Sequence, residues 1–131
     1  MITGLFSQPN YLAAKKLLDA TVLRHEAIAS NLANLETPNY KRLDVAPSFQ
    51  SELKQALNGQ NPGQIAEVRP VLEADRDAIA NTRDGNTVQL ETELTQLNKN
   101  FLAHALETQL VTGSLLKLRL QGPGLALRQQ S

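Results

Sequence analysis

Apolar residues recur at alternating steps of three and four near both ends of this 131-residue chain. The first run extends from about Asn10 to Leu35, and the second from about Thr87 to Gln121. This spacing places side chains on one narrow stripe of a helix. We expect the helices to pack through Leu18, Ile28, Leu32, Leu90, Leu94, Leu97, Phe101, Val111, Leu115 and Leu118. The pattern predicts a mainly all-α fold, in which two long helices form an antiparallel, coiled-coil-like hairpin.

Polar and turn-forming residues predict where these helices begin and end. Asn10 is expected to cap the first helix, which should end near Glu36 because a proline disfavours helix at the residue before it. Asn86 is expected to cap the second helix, and Gly122–Gly124 to end it. These ends define an N-terminal helix and turn (1–42), an irregular middle segment (43–86), a C-terminal helix (87–121) and a flexible tail (122–131).

The middle segment is rich in turn signals, including Asn58-Gly59, Asn61-Pro62-Gly63 and Asp84-Gly85. We expect one short helix at Ser51–Leu57 and a weakly extended stretch at Gln64–Leu72. No other regular structure is predicted here, so the segment should be largely irregular.

Four further leucines of the C-terminal run lie off the predicted stripe: Leu102, Leu106, Leu110 and Leu120. They should stay partly exposed in a hairpin of two helices, which favours contacts with helices of other subunits. The alternative is that the middle segment folds back and covers them.

Composition argues against several classes of function. The chain has no cysteine, and its 13 basic residues balance 13 acidic ones, so it lacks the positive charge that nucleic-acid binding needs. His25-Glu26 begins an HExxH pattern, but Ala29 stands where the second histidine is required. His25 and His104 are better interpreted as partly buried residues of the stripe. We therefore expect that the chain is neither an enzyme nor an integral membrane protein, that it binds no metal or cofactor, and that it has no cleavable signal.

The stretch NLANLETPNYKR, residues 31–42, ends the first helix. Asn31 and Asn34 can hydrogen-bond backbone groups that the helix end leaves free. Pro38 favours a turn, and Asn39 tolerates the left-handed conformation that such a turn can require. From physical chemistry alone, the stretch is a well-formed helix stop.

The same stretch resembles the N-terminal signature of flagellar rod, hook and related axial proteins. The matching residues are Asn31, Ala33, Asn34, Thr37, Pro38 and Tyr40, with Asn39 standing where glycine is usual. The stretch RDGNTVQLETEL, residues 83–94, resembles the start of the C-terminal helix in the flagellar basal-body rod protein family, especially its proximal-rod members. The matching residues here include Asp84, Gly85, Asn86 and Val88. The signature residues are therefore candidate assembly residues.

This resemblance implies a structural subunit of the proximal rod of the bacterial flagellum. Such a subunit is exported by the flagellar type III apparatus and assembles in the periplasm into a helical tube that encloses the export channel and transmits torque. The implied partners are further copies of the chain, other rod subunits, the basal-body adaptor protein FliE, the MS ring and the export gate. The alternatives are another short rod subunit, or a soluble helical-hairpin adaptor or chaperone that does not polymerise.

Overall fold

Four helices and two short strands make up the fold in a computed structural model, which describes residues 8–80 and 83–130, with side chains as far as Leu120. The elements are α1 (Gln8–Ala33), β1 (Leu43–Val45), α2 (Ser48–Asn58), α3 (Pro62–Glu67), β2 (Leu72–Ala74) and α4 (Leu90–Gln130). The predicted mainly all-α class is confirmed. None of the described helices is long and apolar enough to cross a membrane.

The two long helices, α1 and α4, pack side by side in opposite directions. Asn31, near the end of α1, contacts Glu93 in the first turn of α4. Further from the turn, Asn100 of α4 contacts Thr21 of α1. Contacts that move backwards along α1 therefore move forwards along α4, as expected for an antiparallel hairpin.

The hydrophobic core lies between α1 and the middle segment. It is formed by Ala13, Ala20, Val45, Phe49, Leu53, Ala56, Ile65 and Val68, and no described residue of α4 belongs to it. β1 and β2 pair antiparallel, with Asp44 opposite Glu73, and close the segment on itself. The middle segment therefore covers α1 and leaves the outer side of α4 uncovered.

The predicted exposure of the four off-stripe leucines is confirmed. Leu102, Leu106, Leu110 and Leu120 are 74%, 60%, 46% and 75% exposed. The alternative, in which the middle segment covers them, is wrong, because the apolar side chains of that segment are already buried against α1.

The predicted helix ends need correction. Asn10 lies inside α1, which already includes Gln8 and Pro9, and proline is favoured in a first helical turn. Helix α4 begins at Leu90 rather than Thr87, and it continues past Gly122–Gly124 to Gln130. A proline within a helix removes one backbone hydrogen bond but does not always end the helix. The flexibility expected for 122–131 stays a prediction.

The middle segment has more regular structure than predicted. The short helix expected at Ser51–Leu57 is present within α2. The extended conformation predicted for Gln64–Leu72 is wrong for its first part, since α3 includes residues through Glu67. The Asn61 side chain accepts a hydrogen bond from the Gly63 N–H and caps α3, with Pro62 in its first turn.

Candidate functional site

The side chain of Asn31 joins the end of α1 to three other parts of the chain. Its Nδ2 donates to the Leu43 carbonyl at 2.9 Å and to Glu93 Oε2 at 3.1 Å. Its Oδ1 accepts from the Leu43 N–H at 2.8 Å and the Tyr40 hydroxyl at 3.3 Å. Asn31 is fully buried, so these bonds satisfy an amide that water cannot reach.

The predicted local role of the two asparagines is right for only one of them. Asn34 Nδ2 donates to the Ser30 carbonyl at 2.8 Å, within the last turn of α1. Asn31 instead contacts β1 and α4, as its four bonds show. The error arose because the prediction considered only the backbone near Asn31, whereas Glu93 lies 62 residues further along the chain.

Asn39 brings the two signature segments into contact. Its φ of 60° confirms the expected left-handed conformation, and its N–H donates to the Asp84 carbonyl at 2.7 Å. Gly85 has a φ of 76°, and a Cβ added there would lie 2.5 Å from Asn39 Oδ1. A side chain at position 85 is therefore opposed by both backbone strain and a steric clash.

Asn86 holds the turn that follows α1. Its buried Nδ2 donates to the carbonyls of Asn34 at 2.7 Å, Leu35 at 3.1 Å and Thr37 at 2.7 Å. Its Oδ1 accepts from the Val88 N–H at 2.7 Å. The predicted role of Asn86 as a cap of the C-terminal helix is therefore wrong, because α4 begins only at Leu90 and the Asn86 amide instead binds carbonyls of the turn after α1.

A buried arginine, which the sequence analysis did not select, lies beside these asparagines. Arg42 Nε donates to Glu93 Oε1 at 2.7 Å, and its Nη1 donates to Asp75 at 2.6 Å and Asp44 at 3.2 Å. Burial disfavours the guanidinium charge, but the hydrogen bonds that Arg42 donates to Glu93 and Asp75, with the negative charges of Glu93 and Asp44, raise the pKa of Arg42 above its ordinary value. Arg42 thus connects β1, the loop after β2, and α4.

Asp44 extends this network to the middle of α1. Arg24 Nε donates to Asp44 Oδ1 at 3.0 Å. Burial disfavours the carboxylate, but the hydrogen bonds from Arg24 and the Val45 N–H, together with the charges of Arg24 and Arg42, lower the pKa of Asp44. The only sequence signal for the network was a basic pair directly after the signature tyrosine.

The remaining signature residues lie around this cluster or at its surface. Tyr40 is half-buried, and its hydroxyl shares a 2.8 Å hydrogen bond with Ser30 Oγ. Val88 is buried, and Asp84 and Gly85 are half-buried, whereas Ala33, Thr37 and Pro38 are exposed. The structure therefore joins the two segments that the sequence identified separately. An assembly role for them stays a prediction.

The predicted packing stripe has the right period on α4 but is rotated by about half a residue, so only some of its residues face α1. Ile28 is buried, and Leu18, Leu32, Leu97, Val111, Leu115 and Leu118 are half-buried. Leu90, Leu94 and Phe101 are 49%, 45% and 57% exposed, so their assignment to the interface within the hairpin is wrong. The buried side chains are polar instead: Glu93, Asn100 and Ser114, with Glu107 half-buried, fall at every seventh residue.

Contacts between the helices are less complete away from the turn. Asn100 Nδ2 donates to the Thr21 carbonyl at 2.8 Å, but Asn100 Oδ1 and Glu107 Oε2 are buried without a hydrogen-bond partner. A cavity of about 280 Å³ lies between the helices here. Burial raises the pKa of Glu107, an effect that the Thr21 side chain and the charges of Arg24 and His104 oppose.

The two histidines line this cavity from opposite helices. Both are exposed, so the interpretation of His25 and His104 as partly buried is wrong. The His25 ring lies edge-on to Phe101, with ring centroids 5.5 Å apart. Among the described residues, no group of three or more His, Asp or Glu side chains is arranged to hold a metal ion.

The two segments that resemble flagellar axial proteins thus meet at the turn end of a helical hairpin. No family model matches the chain. It is 31% identical to the flagellar basal body rod protein FlgB of Borrelia hermsii in an alignment of 115 residues that covers 74% of this chain and 83% of that protein. The FlgB proteins of Aquifex aeolicus and Cereibacter sphaeroides are also 31% identical, over 77% and 92% of this chain and 82% and 94% of theirs. The chain belongs to the FlgB family of flagellar basal body rod proteins.

Proposed function

We propose that the chain is a structural subunit of the proximal rod of the bacterial flagellum. Copies of it pack with each other and with other rod subunits into a helical tube, which encloses the export channel and transmits torque for motility. Its action is mechanical, and it binds no cofactor. Membership of the FlgB family supports this proposal, since the relatives carry the name of rod proteins.

The observation that carries the proposal is the exposed apolar side of α4. Leu102, Leu106, Leu116 and Leu120 are all more than half exposed. Their helical spacing places them on the side of α4 opposite Asn100 and the other polar residues that face α1. Large apolar areas on a soluble subunit usually mark contact sites for other proteins. We name this side of α4 the outer leucine face.

The location and further partners form a second part of the proposal. The subunit is exported by the flagellar type III apparatus and lies in the periplasmic rod at the base of the flagellum. There it contacts the adaptor protein FliE, the MS ring and the export gate. The signature cluster around Asn31 and Asn86 supports these contacts indirectly, because it fixes the direction in which the middle segment leaves the hairpin.

A complementation experiment tests the assembly role. A strain without the gene should lack rods in basal-body micrographs and should not swim, and the wild-type gene should restore both. Leu102→Asp/Leu106→Asp should restore neither, because two charges would disrupt the outer leucine face. The isolated variant should keep its helicity, since both positions are exposed in the hairpin. Its appearance outside the cytoplasm would separate failed assembly from failed export.

The matched control places the same charges elsewhere. Gln50→Asp/Gln55→Asp changes two exposed positions of α2 and should restore rods and swimming. Intact rods in the deletion strain would contradict a structural role and would favour the helical-hairpin adaptor. Rods restored by Leu102→Asp/Leu106→Asp would show that assembly does not use the outer leucine face.

A further inference from the structure

The rotation of α4 about its own axis differs from the one that its apolar pattern favours. Of the predicted stripe, Leu90, Leu94 and Phe101 are exposed, whereas Leu97, Val111 and Leu118 are half-buried. The face against α1 carries Glu93, Asn100 and Ser114 between those half-buried residues. The two faces are therefore offset by about half a residue, or roughly 50° around the helix. Apolar burial alone would therefore favour a different rotation.

Glu93 opposes that alternative rotation most strongly. Its carboxylate is fully buried and accepts hydrogen bonds from Asn31 Nδ2 and Arg42 Nε. If α4 turned by this angle, Glu93 would move away from both partners, and Arg42 would lose a buried counter-charge. Removing one partner of a buried ion pair is strongly unfavourable.

Asn100 applies the same restriction two turns further along α4. Its Nδ2 donates to the Thr21 carbonyl at 2.8 Å, between buried side chains. A single buried amide can determine how paired helices are aligned, because other alignments leave it without a partner. Glu107, at the next heptad position, has a buried oxygen without a partner and does not contribute in this way.

We propose that Glu93 and Asn100 are positioning residues that select the rotation of α4 on α1. They turn Leu94 and Phe101 away from α1, and they determine which apolar residues the subunit presents. Stabilisation of the hairpin is a separate effect, because a residue can stabilise it without selecting a rotation. The consequence for rod assembly rests on the proposed function, but the rotation itself is a property of the isolated chain.

Two single-cysteine reporters measure the rotation, and the natural chain has no cysteine that would interfere. Ser114→Cys is a nearly isosteric change at a buried position, so its thiol should react slowly with a maleimide. Thr108→Cys is at an exposed position directly after Glu107 and should react quickly. The alternative rotation would move position 114 away from α1 and position 108 toward it.

The test combines each reporter with Asn100→Ala. Labelling of Ser114→Cys should become about tenfold faster, and labelling of Thr108→Cys about tenfold slower, as the rotated form becomes populated. Asn98→Ala makes the same change at an exposed position two residues away and should alter neither rate. Circular dichroism should show unchanged helicity in both variants.

Opposite changes at the two thiols would support the proposal. If both rates stay as in the parent chain in Asn100→Ala and in Asn100→Ala/Glu93→Ala, the two residues do not select the rotation, and the proposal is wrong. Faster labelling of both thiols would mean that α4 detaches rather than rotates, which also contradicts it. If Glu93→Ala loses helicity, Glu93→Gln, which keeps the side-chain size but removes the charge, takes its place.

Discussion

The two ends of the hairpin differ in how completely their buried polar groups are paired. At the turn end, Asn31, Arg42 and Asn86 each make several hydrogen bonds to different parts of the chain. Further along, Asn100 Oδ1 and Glu107 Oε2 have no partner, and a cavity of about 280 Å³ lies beside the contact between Asn100 and Thr21. Buried polar groups without partners weaken an interface, whereas fully paired ones fix its geometry.

The two ends of the helical pair therefore contribute differently to folding and to assembly. The turn end holds the two signature segments and the middle segment in a fixed arrangement. The far end contributes less to folding, and there α4 carries much of its exposed apolar surface, including Leu106 and Leu116. We therefore expect substitutions at the turn end to change stability, and substitutions on the outer leucine face to change assembly.

The largest expected effect is that of Arg42→Met. It leaves the carboxylate of Glu93 fully buried without its counter-charge. Removal of one partner from a buried ion pair costs about 3–5 kcal/mol, so most of the stability of a small domain would be lost. The free energy of unfolding, measured by urea denaturation with circular dichroism, checks this prediction.

Two further variants test whether the broken ion pair with Glu93 causes the loss of stability in Arg42→Met. Arg69→Met removes an exposed arginine and should change the free energy of unfolding by less than about 0.5 kcal/mol. Arg42→Met/Glu93→Leu removes both charges and should recover part of the loss. A double variant as unstable as Arg42→Met would mean that the other contacts of Arg42, with Asp44 and Asp75, dominate.

Asn86→Ala should have the next largest effect. It removes the buried donor to three backbone carbonyls after α1, of which those of Asn34 and Thr37 also accept a backbone N–H, and it leaves the Val88 N–H without its acceptor. A buried group that loses its partner costs about 1–3 kcal/mol. We expect a loss of about 3 kcal/mol in the free energy of unfolding. Asn98→Ala, at an exposed position, is the control. Equal effects of the two substitutions would show that water replaces the bonds of Asn86.

Gly85→Ala should cost about 1–3 kcal/mol, because the residue has a φ of 76° and its new Cβ would meet Asn39 Oδ1. Asn39→Gly removes that oxygen, so the cost of Gly85→Ala should be smaller by about 1 kcal/mol in this background. The remainder would be the strain of the positive φ. A thermodynamic cycle of the four proteins measures both parts.

Gly113→Ala is the matched control for the glycine prediction. A Cβ added at Gly113 meets nothing within 4 Å, and the residue lies inside α4. Alanine should therefore stabilise the chain by about 0.5–1 kcal/mol. If Gly113→Ala destabilised the chain as much as Gly85→Ala, α4 would not tolerate a side chain at position 113. The cost at Gly85 could then not be attributed to contact with Asn39 Oδ1.

The sequence predicted the elements of the hairpin better than the contacts between them. Heptad spacing and turn residues identified two paired helices, exposed leucines such as Leu102, and the left-handed Asn39. The rotation of α4 was missed, because apolar spacing shows which residues favour burial but not which surface buries them. Most partners of Arg42 and Asn86 were missed because they lie 33 to 52 residues away in the sequence, where local patterns carry no information.

The smallest effect concerns the unpaired far end, where Glu107 should make stability depend on pH. Burial raises its folded-state pKa above the ordinary value of 4.5, so between these two values the folded chain binds the proton more tightly than the unfolded chain. Stability should therefore fall as pH rises through this window.

The Glu107→Gln variant should not show that fall. Its free energy of unfolding at neutral pH should rise by less than about 1 kcal/mol, because the amide still leaves a buried polar atom without a partner. Glu52→Gln, at an exposed position of α2, should leave the pH profile unchanged. If the stability of Glu107→Gln falls by the same amount over this pH window, another group causes the fall, and burial of the Glu107 carboxylate does not cost stability.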